Sequence, residues 1–212
     1  MLQIQGFFFY SFLYRTQVII YLHGFQSNSL SAKGQLLQQY CEQKTNFQVH
    51  LPDLNVPPLQ ALQAMSTLIQ RLEHPVLVGS SLGGFYAMQL VAQHALPAVL
   101  INPAMQPWQL FRQLFSTAQL PYAVTEHWSL DESQLEDLAH LAVSEVPNAH
   151  QILVLLQQGD EVLDAKDAQR FFSQPKNCAM IINEMQGTHG MDNFSEKIPM
   201  ALQFLSDHLR KM

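Results

Sequence analysis

The chain has 212 residues and 48% hydrophobic residues, enough for one large globular domain. Only 13% of its residues are charged, about half the usual share, and 26 glutamines spread along the chain supply a neutral polar surface in their place. A net charge of −6 with no cluster of Lys or Arg argues against nucleic acid as a partner, because displacing counterions from phosphates takes a basic face.

The first 16 residues form an N-terminal extension with an apolar, aromatic run at Phe7 to Tyr14. No positive charge precedes that run, and Arg15 ends it after eight residues. A secretory signal needs the former, and a membrane span needs about 20 apolar residues. The expectation is an extra edge strand or packing arm in a cytoplasmic protein that does not enter a membrane. Cys41 and Cys178 are too few and too far apart for a disulfide framework, and this fits the same compartment.

From Val18 onward, short apolar runs alternate with helical patterns. Val18 to Leu22, Phe47 to Leu51, Val76 to Val78, Ala98 to Ile101, Ile152 to Leu156 and Cys178 to Ile182 read as six strands. Helices are expected at Ser31 to Gln43, Pro58 to Leu72, Leu82 to Gln93 and Asn193 to Arg210. In the second, Leu59, Leu62, Met65 and Ile69 fall at helical spacing, and in the last Ile198, Leu202 and Leu205 do so. Unbroken apolar strands with helices between them predict an α/β fold: a mostly parallel sheet of about six strands covered on both faces. Residues 104 to 150 break the rhythm. They hold no good strand and are too apolar for disorder, so they are expected to form a small helical cap within a single domain.

Residues Gly79-Ser80-Ser81-Leu82-Gly83 place a G-x-S-x-G at a strand-to-helix junction. In a nucleophile elbow the serine occupies a sharp, strained turn, and the residues two before and two after it must be small for strand and helix to approach. Ser80 is flanked at those positions by Val78 and Leu82, so Ser81 is the candidate nucleophile. The plain alternative is a Ser/Gly helix start that only caps the helix or holds an anion. A serine hydroxyl needs a histidine to take its proton and a carboxylate to orient that histidine, each on a later post-strand loop. Asp160 follows the fifth apolar strand and His189 follows the last. Asp164 and Glu161 stand as alternatives to Asp160, and Asp164 also suits the cap of a helix beginning near Ala165. The other eight histidines are read as structural or surface. The oxyanion hole is expected from the backbone N–H of Leu82 and of Phe25, the latter in the His23-Gly24 turn after the first strand. Trp108, Phe111, Leu114 and Phe115 can turn one apolar face of the cap toward Ser81, with Trp108 and Phe111 as substrate-binding candidates; the alternative is that this face is simply core. No CxxC or HExxH is present, and neither metal nor cofactor is expected.

With these residues placed, the chain resembles the α/β-hydrolase superfamily, and more closely the YqiA-type family of small bacterial esterases. The resemblance rests on YLHGFQS (21 to 27), SAK (31 to 33), VGSSLGGFYA (78 to 87), LPAV and INPA (96 to 104), LLQQGDEVLD (155 to 164) and GTHG (187 to 190). It covers nearly all of the chain from Val18; the first 16 residues have no counterpart, and Met105 to Asn148 are only loosely similar. It implies a cytoplasmic serine esterase or acyl thioesterase with Ser81, Asp160 and His189 as its triad, acting on short-chain esters or fatty acyl-CoA. A rival from another class is a protein that binds an acyl or anionic ligand on a hydrolase scaffold without turnover; a third reading is a peptidase.

Overall fold

A computed structural model describes residues 17 to 115 and 119 to 210. The expected N-terminal arm lies outside the described residues. Among the described residues there are eight strands: β1 (Gln17–Leu22), β2 (Phe47–His50), β3 (Val76–Ser80), β4 (Ala98–Ile101), β5 (Tyr122–Ala123), β6 (Ser129–Leu130), β7 (Ile152–Gln157) and β8 (Met180–Glu184). The same described residues form seven α-helices: α1 (Ala32–Lys44), α2 (Pro58–Arg71), α3 (Leu82–His94), α4 (Pro107–Leu114), α5 (Glu132–Leu141), α6 (Ala165–Phe172) and α7 (Phe194–Leu209).

Six strands form one parallel sheet in the order β2-β1-β3-β4-β7-β8. Successive side chains of a strand point to opposite faces, and here both sets are apolar. Ile20, Leu22, Leu77, Leu100 and Val154 face one side, where α2, α3 and the cap cover them. Ile19, Tyr21, Val78, Val99 and Leu155 face the other, against α1 and α7. Each such side chain contributes about 1.5–3 kcal/mol on burial. Helix α3 is buried without interruption from Leu82 to Val91, as a helix enclosed by sheet and cap must be.

The α/β architecture expected from the sequence is present, with local differences. The last strand begins at Met180 rather than Cys178, because Pro175–Asn177 makes a short 3-10 turn that the buried Asn177 ties to Ser144 and Val146. Leu59 is 48% exposed; Pro58 and Ala61 join Leu62, Met65 and Ile69 on the inner face of α2. The cap is not wholly helical. Besides α4 and α5 it contains the antiparallel pair β5–β6, whose strands of two residues each are too short to carry an alternating pattern.

The chain leaves β1 for β2 on one side and returns to β3 on the other. A crevice opens at the carboxyl ends of strands where the winding reverses in this way, and ligands of open α/β sheets bind there. The residues after β1 and β3 are His23-Gly24-Phe25 and Ser81.

Candidate active site

Ser81 joins β3 to α3 with φ 55° and ψ −120°, a conformation costing about 1–3 kcal/mol that surrounding contacts must impose. They do so through the backbone. Ser81 N–H donates to the Ile101 carbonyl at 3.0 Å, and the Ser81 carbonyl accepts from Gly84, Phe85 and Ala104. A Cβ on Gly83 would overlap the Leu22 carbonyl, and one on Gly79 the Gly83 carbonyl. The glycine spacing thus has the steric cause read from the sequence. Ser80 points away into the buried layer, against Tyr21, whose hydroxyl is pushed up to about 12 by burial despite bonds to Ser31 and Ser80.

Ser81 Oγ–H donates to His189 Nε2 at 3.0 Å, and His189 Nδ1–H donates to Asp160 Oδ2 at 2.8 Å. The carboxylate on Nδ1 selects the tautomer that leaves the Nε2 lone pair facing the serine. Asp160 Oδ1 accepts the N–H groups of Val162 and Leu163, both at 2.8 Å, so each oxygen of this carboxylate is held. Its side chain is 2% exposed against 21% for His189. The two alternative acids have other partners. Asp164 caps α6 through the Lys166 N–H, whereas Glu161 accepts the backbone N–H of His189 at 3.0 Å, a bond that lowers the Glu161 pKa.

Leu82 N–H lies in the first turn of α3, where helical N–H groups have no partner within the helix. Gly24 packs against the serine: a Cβ placed there would lie 3.2 Å from Ser81 Cβ. Phe25 is the next residue. The turn is pinned by buried His23, which donates from Nδ1 to the Gly24 carbonyl at 2.8 Å and accepts the Leu54 N–H at Nε2 at 2.9 Å.

The Phe25 ring reaches into the cap, with centroids 4.5 Å from Phe111, 6.1 Å from Phe115 and 6.5 Å from Trp128. Phe111 is 2% exposed. Trp108 packs edge-on against Phe85 of α3, and Leu114 is 55% exposed, so the four apolar cap residues do not share one surface. A cleft of about 210 Å³ separates α4 from the loop after β7, with Pro103, Met105, Leu110, Val162 and Leu163 among its walls.

The histidine loop is held by residues that sequence reasoning did not single out. Asn102 Nδ2 donates to the carbonyls of Thr188 (3.1 Å) and His189 (3.2 Å), and its Oδ1 accepts Gln157 N–H. Gln157 Oε1 accepts Thr188 N–H at 2.9 Å while its amide nitrogen bonds Glu184 and Asn193. Lys197 bonds Glu184 too, and together with Gln157 and Asn193 it lowers that carboxyl to about 2. The available signal was a polar residue closing an otherwise apolar strand, as Asn102 closes AVLI and Gln157 closes ILVLL.

Among the described residues, no group of three or more His, Cys, Asp or Glu is placed to hold a metal, and no helix is long and apolar enough to cross a membrane. The histidine–serine–carboxylate chain can accept a hydroxyl proton and pass it on.

Comparison with known proteins bears on the fold and the family. Among solved structures, Est1E from Butyrivibrio proteoclasticus with bound ferulic acid superposes with a TM-score of 0.64 at 16% identity, covering 92% of this chain and 88% of that one. The mouse alpha/beta hydrolase domain-containing protein 10 gives a TM-score of 0.66 at 17% identity, covering 93% and 91%. At these identities the likeness shows the fold, that of the α/β hydrolases. Among curated proteins, a UPF0227 protein of Serratia proteamaculans (strain 568) is 24% identical over 197 residues, 88% of this chain and 98% of the relative. One of Vibrio atlanticus (strain LGP32) is 25% identical over 159 residues, covering 69% and 78%. The family described as "Uncharacterised protein family (UPF0227)" matches residues 18–206, and the chain, with its α/β-hydrolase fold, belongs to that family.

Proposed function

We propose that the protein is a serine hydrolase that cleaves small carboxylic esters or acyl thioesters through an acyl-enzyme on Ser81. The observation that carries this reading is the unbroken chain of hydrogen bonds from Asp160 through His189 to a serine held at φ 55°. Ser81 Oγ attacks the substrate carbonyl as His189 Nε2 takes its proton, and the amides of Leu82 and Phe25 receive the negative oxygen. Collapse of the tetrahedral species breaks the bond to the alcohol or thiol, which leaves with the proton from His189. Water then repeats the sequence on the acyl-enzyme and restores Ser81. Asp160 holds the imidazole through its Nδ1–H throughout. No cofactor is called for.

Esters are favoured by the likeness to Est1E, which binds ferulic acid, and acyl thioesters by the YqiA-type resemblance. Phe111 bears on the site through the Phe25 ring it packs against, and Trp108 through α3. The cleft beside Leu163 is the candidate substrate space, since Leu163 in its wall also donates its N–H to Asp160. A reducing cytoplasm suits the free thiols of Cys41 and Cys178.

Incubation with a fluorophosphonate, which traps only activated serines, tests the proposal. Label on the peptide holding Ser81, lost in Ser81→Ala and kept in Ser80→Ala, is the expected result. An unlabelled wild-type protein would point instead to a ligand-binding scaffold without turnover.

A further inference from the structure

The loop carrying His189 is gripped at consecutive peptide groups by side chains from other segments. Three grips have been described, from Gln157, Asn102 and Glu161. The fourth is Lys33 Nζ, which donates to the Gly190 carbonyl at 2.8 Å. Lys33 is the second residue of α1, beside the Ser31 N-cap, and it is half-buried. Burial lowers its pKa, and the charges of Asp192 and Asp160 oppose that shift.

A neutral side chain would satisfy one carbonyl at smaller cost, because holding a lysine here sacrifices rotamer freedom and hydration. The charge itself therefore needs a reason, and the surroundings of His189 supply one. Asp160 and Glu161 face it from the loop after β7, and Asp192 lies on its own loop, where it accepts from Thr188 Oγ1 at 3.0 Å. The ionised Glu184, paired with Lys197, stands behind Gln157. Carboxylates on several sides favour imidazolium, and an imidazolium has no lone pair for the Ser81 proton.

We propose that Lys33 is a positioning residue for His189: its ammonium holds the Gly190 carbonyl and offsets the negative field of Asp160 and Asp192 around the imidazole that faces Ser81. This inference rests on the reading of Ser81, His189 and Asp160 as the reacting groups. Removing the cation favours the protonated imidazole, so activity in Lys33→Met should fade earlier as the pH drops.

The test is the pH profile of kcat/KM for nitrophenyl butyrate, with fluorophosphonate labelling of Ser81 read on the same samples. Relative to its own alkaline plateau, Lys33→Met should lose about threefold more activity than wild type on the acidic limb. Lys33→Arg should restore the limb. Glu161→Gln keeps an acceptor for the His189 N–H but removes a negative charge, and it should move the limb the opposite way, as should Asp192→Asn. A merely structural role would lower the plateau and leave the limb in place. A labelled wild type with limbs unmoved in Lys33→Met overturns the role of Lys33 alone; if Lys33→Met does not fold, unmoved limbs in Glu161→Gln and Asp192→Asn do the same. An unlabelled wild type overturns the functional reading and this inference with it.

Discussion

The serine elbow and the histidine loop bring two halves of one hydrogen-bond chain together, yet they are fixed by different means. The elbow is set by backbone: Ser81 is locked by carbonyl and amide partners, and Gly79 and Gly83 allow strand and helix to touch. The histidine loop is set by side chains, with Asn102, Gln157, Glu161 and Lys33 each holding a peptide group of Thr188, His189 or Gly190. Steric locks fail completely when a methyl group is added. Polar grips act in parallel, so losing one should degrade the position of His189 by steps.

The largest effect should come from the carboxylate that orients the imidazole between the two regions. Asp160→Asn should lower turnover by on the order of 10⁴, because the amide cannot hold the imidazole in the required tautomer. Asp164→Asn alters only the cap of α6, where Asn is about as good, and should leave kcat near wild type. Steady-state kinetics of both variants checks this. Equal losses would shift the acid role onto the loop as a whole.

Next in size is Asn102→Ala, which removes two grips on the histidine loop and the acceptor for Gln157 N–H. A loss of kcat on the order of 10- to 100-fold, with KM little changed, is expected when a reacting group is held less accurately. A loss as large as that of Asp160→Asn would mean that the loop collapses rather than loosens.

These comparisons explain what was legible in the sequence. Ser81 could be picked over Ser80 because the requirement at the elbow is local and steric, written within five residues. The six sheet strands were legible because burial on both faces leaves unbroken apolar runs. Asn102 was legible only as a polar residue closing an apolar strand: its partners Thr188 and His189 are 86 and 87 residues away, and no local pattern names them. Lys33 was not singled out for the same reason: its partner Gly190 is 157 residues away. The β5–β6 pair escaped because its short strands are defined by pairing with each other. Asp160 could not be separated from Glu161 and Asp164 by spacing, since all three fall within one loop; only the direction of each side chain divides them.

Cap substitutions should act more weakly on chemistry, because the cap touches the elbow side through the Phe25 ring. We expect wild type to prefer butyryl or longer acyl groups over acetyl, by at most roughly 1–3 kcal/mol in discrimination. Trp108→Ala and Phe111→Ala should flatten that preference, read as kcat/KM across a nitrophenyl ester series and an acyl-CoA series. A steady decline from acetyl upward in wild type would instead indicate a small closed pocket.

The smallest effect belongs to the outermost layer of the histidine-loop scaffold. The Glu184 carboxyl is held at about 2, below its unfolded value, so its contribution to stability is present above about pH 4.5 and is lost as the pH falls through 2. Glu184→Gln should cost at most about 1 kcal/mol at neutral pH, given how open the site is to water, and should flatten this part of the acid-stability curve. Denaturant titrations between about pH 2 and 7 would show it.

The central claim, a covalent acyl group carried by Ser81, is open to direct observation. Rapid acid quench of the protein with excess nitrophenyl butyrate, followed by peptide mapping by mass, should place one butyryl group on the peptide holding Ser81. The adduct should persist in Ser80→Ala and vanish in Ser81→Ala. An adduct on Ser80 or elsewhere, or turnover undiminished in Ser81→Ala, would contradict the account.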